Sequence, residues 1–190
     1  ADKSEMKDQA VVALKDLPNL EILLLFANEL DGSFLKSMTG LKKLKMLAMN
    51  NNGLDTRNLK YLTNVPSVAT LDVGHMRLRP VDAEPVFKMP NLTSLSLSSN
   101  PDIDDTVVPK IMAVKTLKWV DLRRTHISNA AVKKMTKERP DMHLILSLSS
   151  KDQEEQERQL QEKLAKTSNK AVKEKLKARA EASKKSDEEI

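Results

Sequence analysis

Leucine and its aliphatic equivalents return along this chain at a fixed step. Leu20, Leu23 and Leu25 are followed by Asn28 and Leu30; Leu44, Leu47 and Met49 by Asn52 and Leu54. Val68, Leu71 and Val73 precede Met76 and Leu78, and Leu92, Leu95 and Leu97 precede Asn100 and, one residue late, Ile103. Leu117, Val120 and Leu122 precede Thr125 and Ile127. The first positions, 20, 44, 68, 92 and 117, are separated by steps of 24, 24, 24 and 25. A further 25 reaches Met142, where Pro140-Asp141-Met142 echoes Pro18-Asn19-Leu20 and Pro90-Asn91-Leu92 and opens a partial sixth unit.

The spacing within a unit predicts two elements. Around the middle pair of aliphatic residues, side chains alternate in and out as in a short strand. The Asn or Thr that follows is suited to hydrogen-bond backbone groups where the chain turns away. The remainder of each unit has helix-like apolar spacing, as at Leu35/Met38, Leu59/Leu62, Val108/Ile111/Met112 and Val132/Met135. Pro80, Pro85 and Pro109 fall in these return segments, so some are expected as short or 3-10 turns. No unit can bury its apolar face alone; stacked units bury a continuous one.

With five units in fixed register over about residues 5–148, the chain resembles the leucine-rich-repeat family, and its 24–25 residue period resembles the ribonuclease-inhibitor-like subtype. The resemblance implies an α/β solenoid, a right-handed horseshoe segment with parallel strands on the concave face and helices on the convex face. It also implies that the concave face, or a flank, binds another protein. Met76 departs from the pattern at the polar position, so the turn there must find its hydrogen bond elsewhere. The Cys-rich caps common in extracellular members are missing, as the chain has no cysteine.

Three regions are expected: an N-terminal capping helix over 1–16, the repeats over 17–150 and a charged helical tail over 151–190. Ser4 is a possible N-cap of a helix over 4–16, with Met6, Ala10, Leu14 and Leu17 on its inner side. Residues 144–148 can supply a last edge strand. The tail carries 11 Lys/Arg and 10 Asp/Glu, no Gly and no Pro. Its composition favours helix, while its apolar residues form no sustained heptad. Leu160/Leu164 and Val172/Leu176 are two i, i+4 pairs, on one helix or on two divided near Thr167-Ser168-Asn169. They either dock on a partner or belong to a solvated tail.

The inferred register also assigns outward-facing side chains. Ile22, Leu24 and Phe26 face outward in the first unit; Met46, Ala48 and Asn50 do so in the second. Ile22, Leu24, Phe26 and Met46 then make a contiguous apolar patch, of the kind that marks interfaces, unless the N-terminal segment or the tail covers it. The third and fourth units present a small polar floor of Thr70, Asp72, Gly74, Ser94, Ser96 and Ser98. The fifth presents Trp119, Asp121 and Arg123, with Arg124 beside them. Trp and Arg are enriched at binding hot spots, though Asp121 could simply neutralise the arginines.

Catalytic chemistry finds little support. Without Cys there is no thiolate nucleophile or thiolate metal site. His75, His126 and His143 fall in different units, and the serines of the strands have no assignable base. Asp31, Asp55, Asp82, Asp104 and Asp105 follow the strands, where Asp commonly satisfies free N–H groups. No cofactor or metal is expected. The leading expectation is a non-catalytic protein-binding module in a hetero-oligomeric assembly. The alternative is a basic accessory factor of a ribonucleoprotein, given 32 Lys+Arg against 27 Asp+Glu and a net charge of +5. Aromatics at 3% of residues weigh against stacking on single strands. The longest apolar run, Ile22–Ala27, is too short for a transmembrane helix. A start at Ala1 and a pI near 9.3 suit a mitochondrial or other organellar protein, or another intracellular one, with a bacterial exported protein as the alternative.

Overall fold

Alternation around each aliphatic triplet produces the strands that it predicts. The computed structural model describes residues 7–147, which lie in the first of two units of the chain, Ala1–Ser147 and Leu148–Ile190. Six strands form one all-parallel sheet in chain order: β1 (Ile22–Leu24), β2 (Met46–Ala48), β3 (Thr70–Asp72), β4 (Ser94–Ser96), β5 (Trp119–Asp121) and β6 (His143–Ile145). Paired residues are 24 apart except between β4 and β5, where Ser94 pairs with Trp119, 25 residues on. The inward residues Leu23, Leu47, Leu71, Leu95 and Val120 are buried and adjacent across the sheet. They pack into one core with the return segments, which contribute Phe34, Leu35, Leu59, Leu62, Val86, Ile111 and Met135.

Backbone bonds extend the ladder beyond each strand. Leu25, Met49, Val73, Leu97 and Leu122 donate to the carbonyls of Ala48, Asp72, Ser96, Asp121 and Ile145. Two positions further along, Ala27, Asn51, His75, Ser99 and Arg124 all adopt left-handed backbone, with φ between 55 and 57°. This repeated kink turns the chain out of the sheet at the same place in every unit.

The return segments are mixed. Ser33–Gly40, Thr56–Asn64, Val86–Lys88 and Asp105–Val107 are 3-10. Besides α1 (Asp8–Val12), the α-helices are α2 (Val108–Ala113) and α3 (Asn129–Glu138). The expectation that some return segments are short or 3-10 holds, with Pro85 directly before Val86–Lys88, but proline is not what sets it. The proline-free 33–40 and 56–64 are 3-10, whereas Pro109 sits in the first turn of α2, where the missing N–H has no intrahelical partner to lose. Strands about 4.8 Å apart cannot each carry an α-helix that packs at 8–10 Å without splaying, and the tighter 3-10 turn eases that mismatch. As expected, Asp55 and Asp104 cap their segments, accepting from the N–H groups of Arg57 and Thr106, and Asp31 accepts from that of Ser33.

The polar column resolves the exception at Met76. Asn100, fully buried, accepts from Met76 N–H and Leu78 N–H, each at 3.0 Å, and donates to the carbonyls of Val73 and Leu97 at 3.0 and 2.9 Å. Asn52 serves the first unit likewise, accepting from Asn28 and Leu30 and donating to Leu25 and Met49. Each asparagine therefore satisfies its own turn and the preceding one.

Two terminal expectations are corrected. The N-terminal helix is shorter than 4–16: α1 begins at Asp8 after Lys7 at the N-cap, and 13–16 is 3-10. Its buried residue is Val11, while Ala10 and Leu17 are exposed; Ser4 and Met6 lie outside the described residues. The tightening to 3-10 after Val12 changes the angle per residue, so an inner face read at α-helical spacing does not hold. Asp8 takes up the capping role, accepting from Asp31 N–H at 2.8 Å and Phe34 N–H at 3.1 Å. The close approach of this segment also explains Gly40, where any side chain would collide with the Lys15 carbonyl. At the other end the strand is His143–Ile145 rather than 144–148, because Trp119 pairs with His143 at a step of 24. Met142 is buried at the start of that unit.

Arg139 closes the described fold. Its side chain is buried, and it donates to the carbonyls of Met112, Val114, Lys115 and Leu117, the last at 2.8 Å. These are carbonyls at and beyond the C-terminal end of α2, which the helix itself leaves without donors. Asp141 holds the guanidinium in place through bonds of 3.0 and 3.2 Å.

Candidate functional site: the outward face of the sheet

Parallel register stacks the outward residues of successive strands into columns. One runs Ile22, Met46, Thr70, Ser94, Trp119 and His143; the next runs Leu24, Ala48, Asp72, Ser96, Asp121 and Ile145. Continuation of the ladder adds Phe26, Asn50, Gly74, Ser98, Arg123 and Ser147. The face therefore has three zones, set by side-chain size and polarity.

The first zone is apolar. Ile22 and Leu24 on β1, an edge strand, and Phe26 just beyond it are 56, 51 and 55% exposed. Their side chains face outward because Leu23 and Leu25, which alternate with them, are taken by the core. Among the described residues the patch remains exposed, so the segment 7–21 does not cover it. On β2 the expectation is corrected in part. Met46 is half-buried and Ala48 is buried at 4% exposure. Ala48 does point outward by register, but a methyl is too short to rise between Leu24 and Asp72 on either side.

The second zone is a shallow polar floor. Ser96 and Ser98 share a hydrogen bond at 3.2 Å, and Asp72 accepts from Gly74 N–H at 2.9 Å. A side chain at Gly74 would crowd the Ser98 hydroxyl at 2.8 Å.

The third zone carries aromatic and charged groups. Trp119, half exposed, stacks on His143 with ring centroids 4.3 Å apart. Asp121 is buried beneath Arg123, which donates to it from Nε at 3.0 and 3.1 Å, from Nη2 at 2.6 Å and from its backbone N–H at 3.0 Å. The carboxylate raises the pKa of the Arg123 guanidinium. Asp121 is thus a clamp for Arg123 rather than an exposed contact, because its four bonds fold the arginine over it. Arg124, at a left-handed φ of 55°, donates its N–H to the Ser147 hydroxyl, and its side chain has no ion-pair partner among the described residues.

Trp119, Arg123 and Arg124 therefore gather at one end of the face, and Ile22, Leu24, Phe26 and Met46 at the other. Leu160, Leu164, Val172 and Leu176 lie outside the described residues. The sequence reading did not count His143, Ile145 and Leu146, all exposed, among the outward-face residues. Counting 24 residues forward from Trp119 and Asp121 would have found the first two.

Among the described residues, no three His, Asp or Glu side chains gather as metal ligands, and no helix is long and apolar enough to cross a membrane. No protein-family model matches this chain, and no curated protein matches it.

Proposed function

We propose that residues 17–150 are a leucine-rich-repeat solenoid of the ribonuclease-inhibitor-like kind, working as a non-catalytic protein-binding module within a larger hetero-oligomeric assembly. The strand step of 24 or 25 residues supports the architecture. The single observation that carries the function is the exposure of Ile22, Leu24 and Phe26 together along one edge of the sheet, next to the small polar residues of its middle strands. Solvent contact with three adjacent large apolar side chains is unfavourable, and a partner that covers them relieves it. Covering about 80 Å² on each, at about 25 cal/mol/Å², contributes roughly 6 kcal/mol. Lost freedom on association offsets much of this, so the Trp119–Arg123–Arg124 end of the face supplies a second anchor. Two contacts on one rigid sheet raise affinity beyond either alone.

The test is affinity purification of the tagged full chain from its own cells, beside Leu24→Asp and Phe26→Asp. Both substitutions lie at exposed positions, and unchanged circular dichroism and melting temperature confirm the fold. The partner should be depleted at least tenfold in both variants. Undiminished recovery with both would remove the interface from this edge.

A further inference from the structure

A cleft of about 730 Å³ opens where the turns after β2, β3 and β4 meet, lined by Asn51, Asn52, Leu54, His75, Arg77 and Ser99, among others. It coincides with the break in the polar column. Asn52 Oδ1 accepts the N–H groups of Asn28 and Leu30, and Asn100 Oδ1 accepts those of Met76 and Leu78. The equivalent N–H groups of the second unit belong to Asn52 and Leu54, and their acceptor would stand at position 76. Met76 offers none, and these two N–H groups have no acceptor among the described residues. Both residues line the cleft.

The cleft's side chains match that deficit of acceptors. Arg77 makes no ion pair or hydrogen bond among the described residues, and neither do the Asn51 amide or the His75 ring. Arg77 also holds a left-handed φ of 54°, which its counterparts Glu29, Gly53 and Pro101 do not share. No carboxylate lines the cleft. Asp55, beside Leu54, and Asp82, which accepts from the Thr56 hydroxyl, are occupied by Arg57 at 2.6 Å and Arg79 at 2.9 Å. Two backbone N–H groups, a guanidinium, an amide and an imidazole are more donors than one carboxylate accepts, and phosphate offers three strong acceptor oxygens.

We propose that this cleft binds a phosphate group, as the free anion or as a phosphomonoester. Arg77 grips two oxygens, and the N–H groups of Asn52 and Leu54 take the place on the anion that Asn100 gives to Met76 and Leu78.

The experiment titrates the full chain, by calorimetry and by amide NMR, with inorganic phosphate, N-acetylphosphoserine amide and N-acetylglutamate amide. Binding of phosphate should move the Asn52 and Leu54 amide resonances downfield. Arg77→Gln should weaken it at least tenfold. Met76→Asn supplies the missing acceptor and should weaken it similarly while raising the melting temperature, which a merely electrostatic surface effect would not do. If Met76→Asn does not fold, Arg77→Gln with the two amide shifts decides. Phosphoserine amide binding tighter than inorganic phosphate identifies a phosphorylated segment as the source; the reverse identifies the free anion. The proposal is overturned if neither phosphate compound binds, if glutamate amide binds as well as they do, or if Arg77→Gln leaves binding unchanged.

Discussion

Asn100→Ala tests whether the buried asparagine column holds the turns together. Asn100 is fully buried and makes four bonds of 2.9–3.0 Å, two accepted and two donated. Truncation leaves two N–H groups and two carbonyls without partners. A buried polar group stripped of its partner costs about 1–3 kcal/mol. With water reaching some of the four, about 1 kcal/mol each is appropriate, for a total near 4 kcal/mol. That is a large share of the ~5–15 kcal/mol by which domains are stable. Urea unfolding followed by circular dichroism and by the fluorescence of Trp119, the single tryptophan, measures it. With a slope of about 2 kcal/mol/M the midpoint should fall by about 2 M. Met76→Leu is the control, because Met76 occupies the same column with no polar bond and a volume-conserving swap costs less than about 1.5 kcal/mol. A midpoint shift under about 0.5 M for Asn100→Ala, or one no larger than that of Met76→Leu, would refute the assignment.

Arg139→Ala should destabilise by about 3 kcal/mol, as charge-assisted bonds to buried carbonyls are lost and Asp141 is left alone; a change below about 1 kcal/mol in the same urea assay would contradict the closing role of Arg139. Arg139, and after it Lys118, holds the Asp141 carboxyl far below the usual carboxylate range. A lowered folded pKa stabilises at pH above the unfolded value, near 3.9, and that contribution fades as the pH falls. The melting-temperature gap between the native chain and Asp141→Asn should therefore be present at pH 7 and shrink below about pH 4; a gap that widens in acid would reverse the sign. Ala27→Gly relieves a left-handed alanine, φ 55°, worth about 1–2 kcal/mol, against about 0.5–1 kcal/mol of added chain entropy. Calorimetric melting should show no loss and up to about 1.5 kcal/mol gained; a clear loss would show that the kink is unstrained.

Strand placement was legible because it depends on local chemistry alone. Leu23 and Leu25 alternate with Leu24 and Phe26, and a strand sends successive side chains to opposite faces, so inward and outward residues of β1 follow once the period is found. Helical return segments were less legible. Leu59/Leu62 spacing fits both α and 3-10 turns, and the width available beside neighbouring strands decides between them. The tryptophan–arginine end of the face was visible as residue types, but the burial of Asp121 under Arg123 was not, since it depends on rotamers. Ala48 shows the same limit: register predicts its direction, while the height of its neighbours determines its exposure.

The sequence by itself determined the α/β alternation, the step of the strands and the side chains each strand turns outward, because all three follow from spacing along one chain. Tertiary structure decided which groups meet across units. Asn100 completes the turn at Met76, Asp8 caps the segment at Phe34, His143 stacks on Trp119, and Asn52 and Leu54, whose turn has no asparagine opposite it at position 76, line one cleft with Arg77. Each of these joins residues about two dozen positions apart, or the lack of such a join. A hydrogen bond or a stack is sensitive to a fraction of an ångström, and only the packed sheet sets distances that fine.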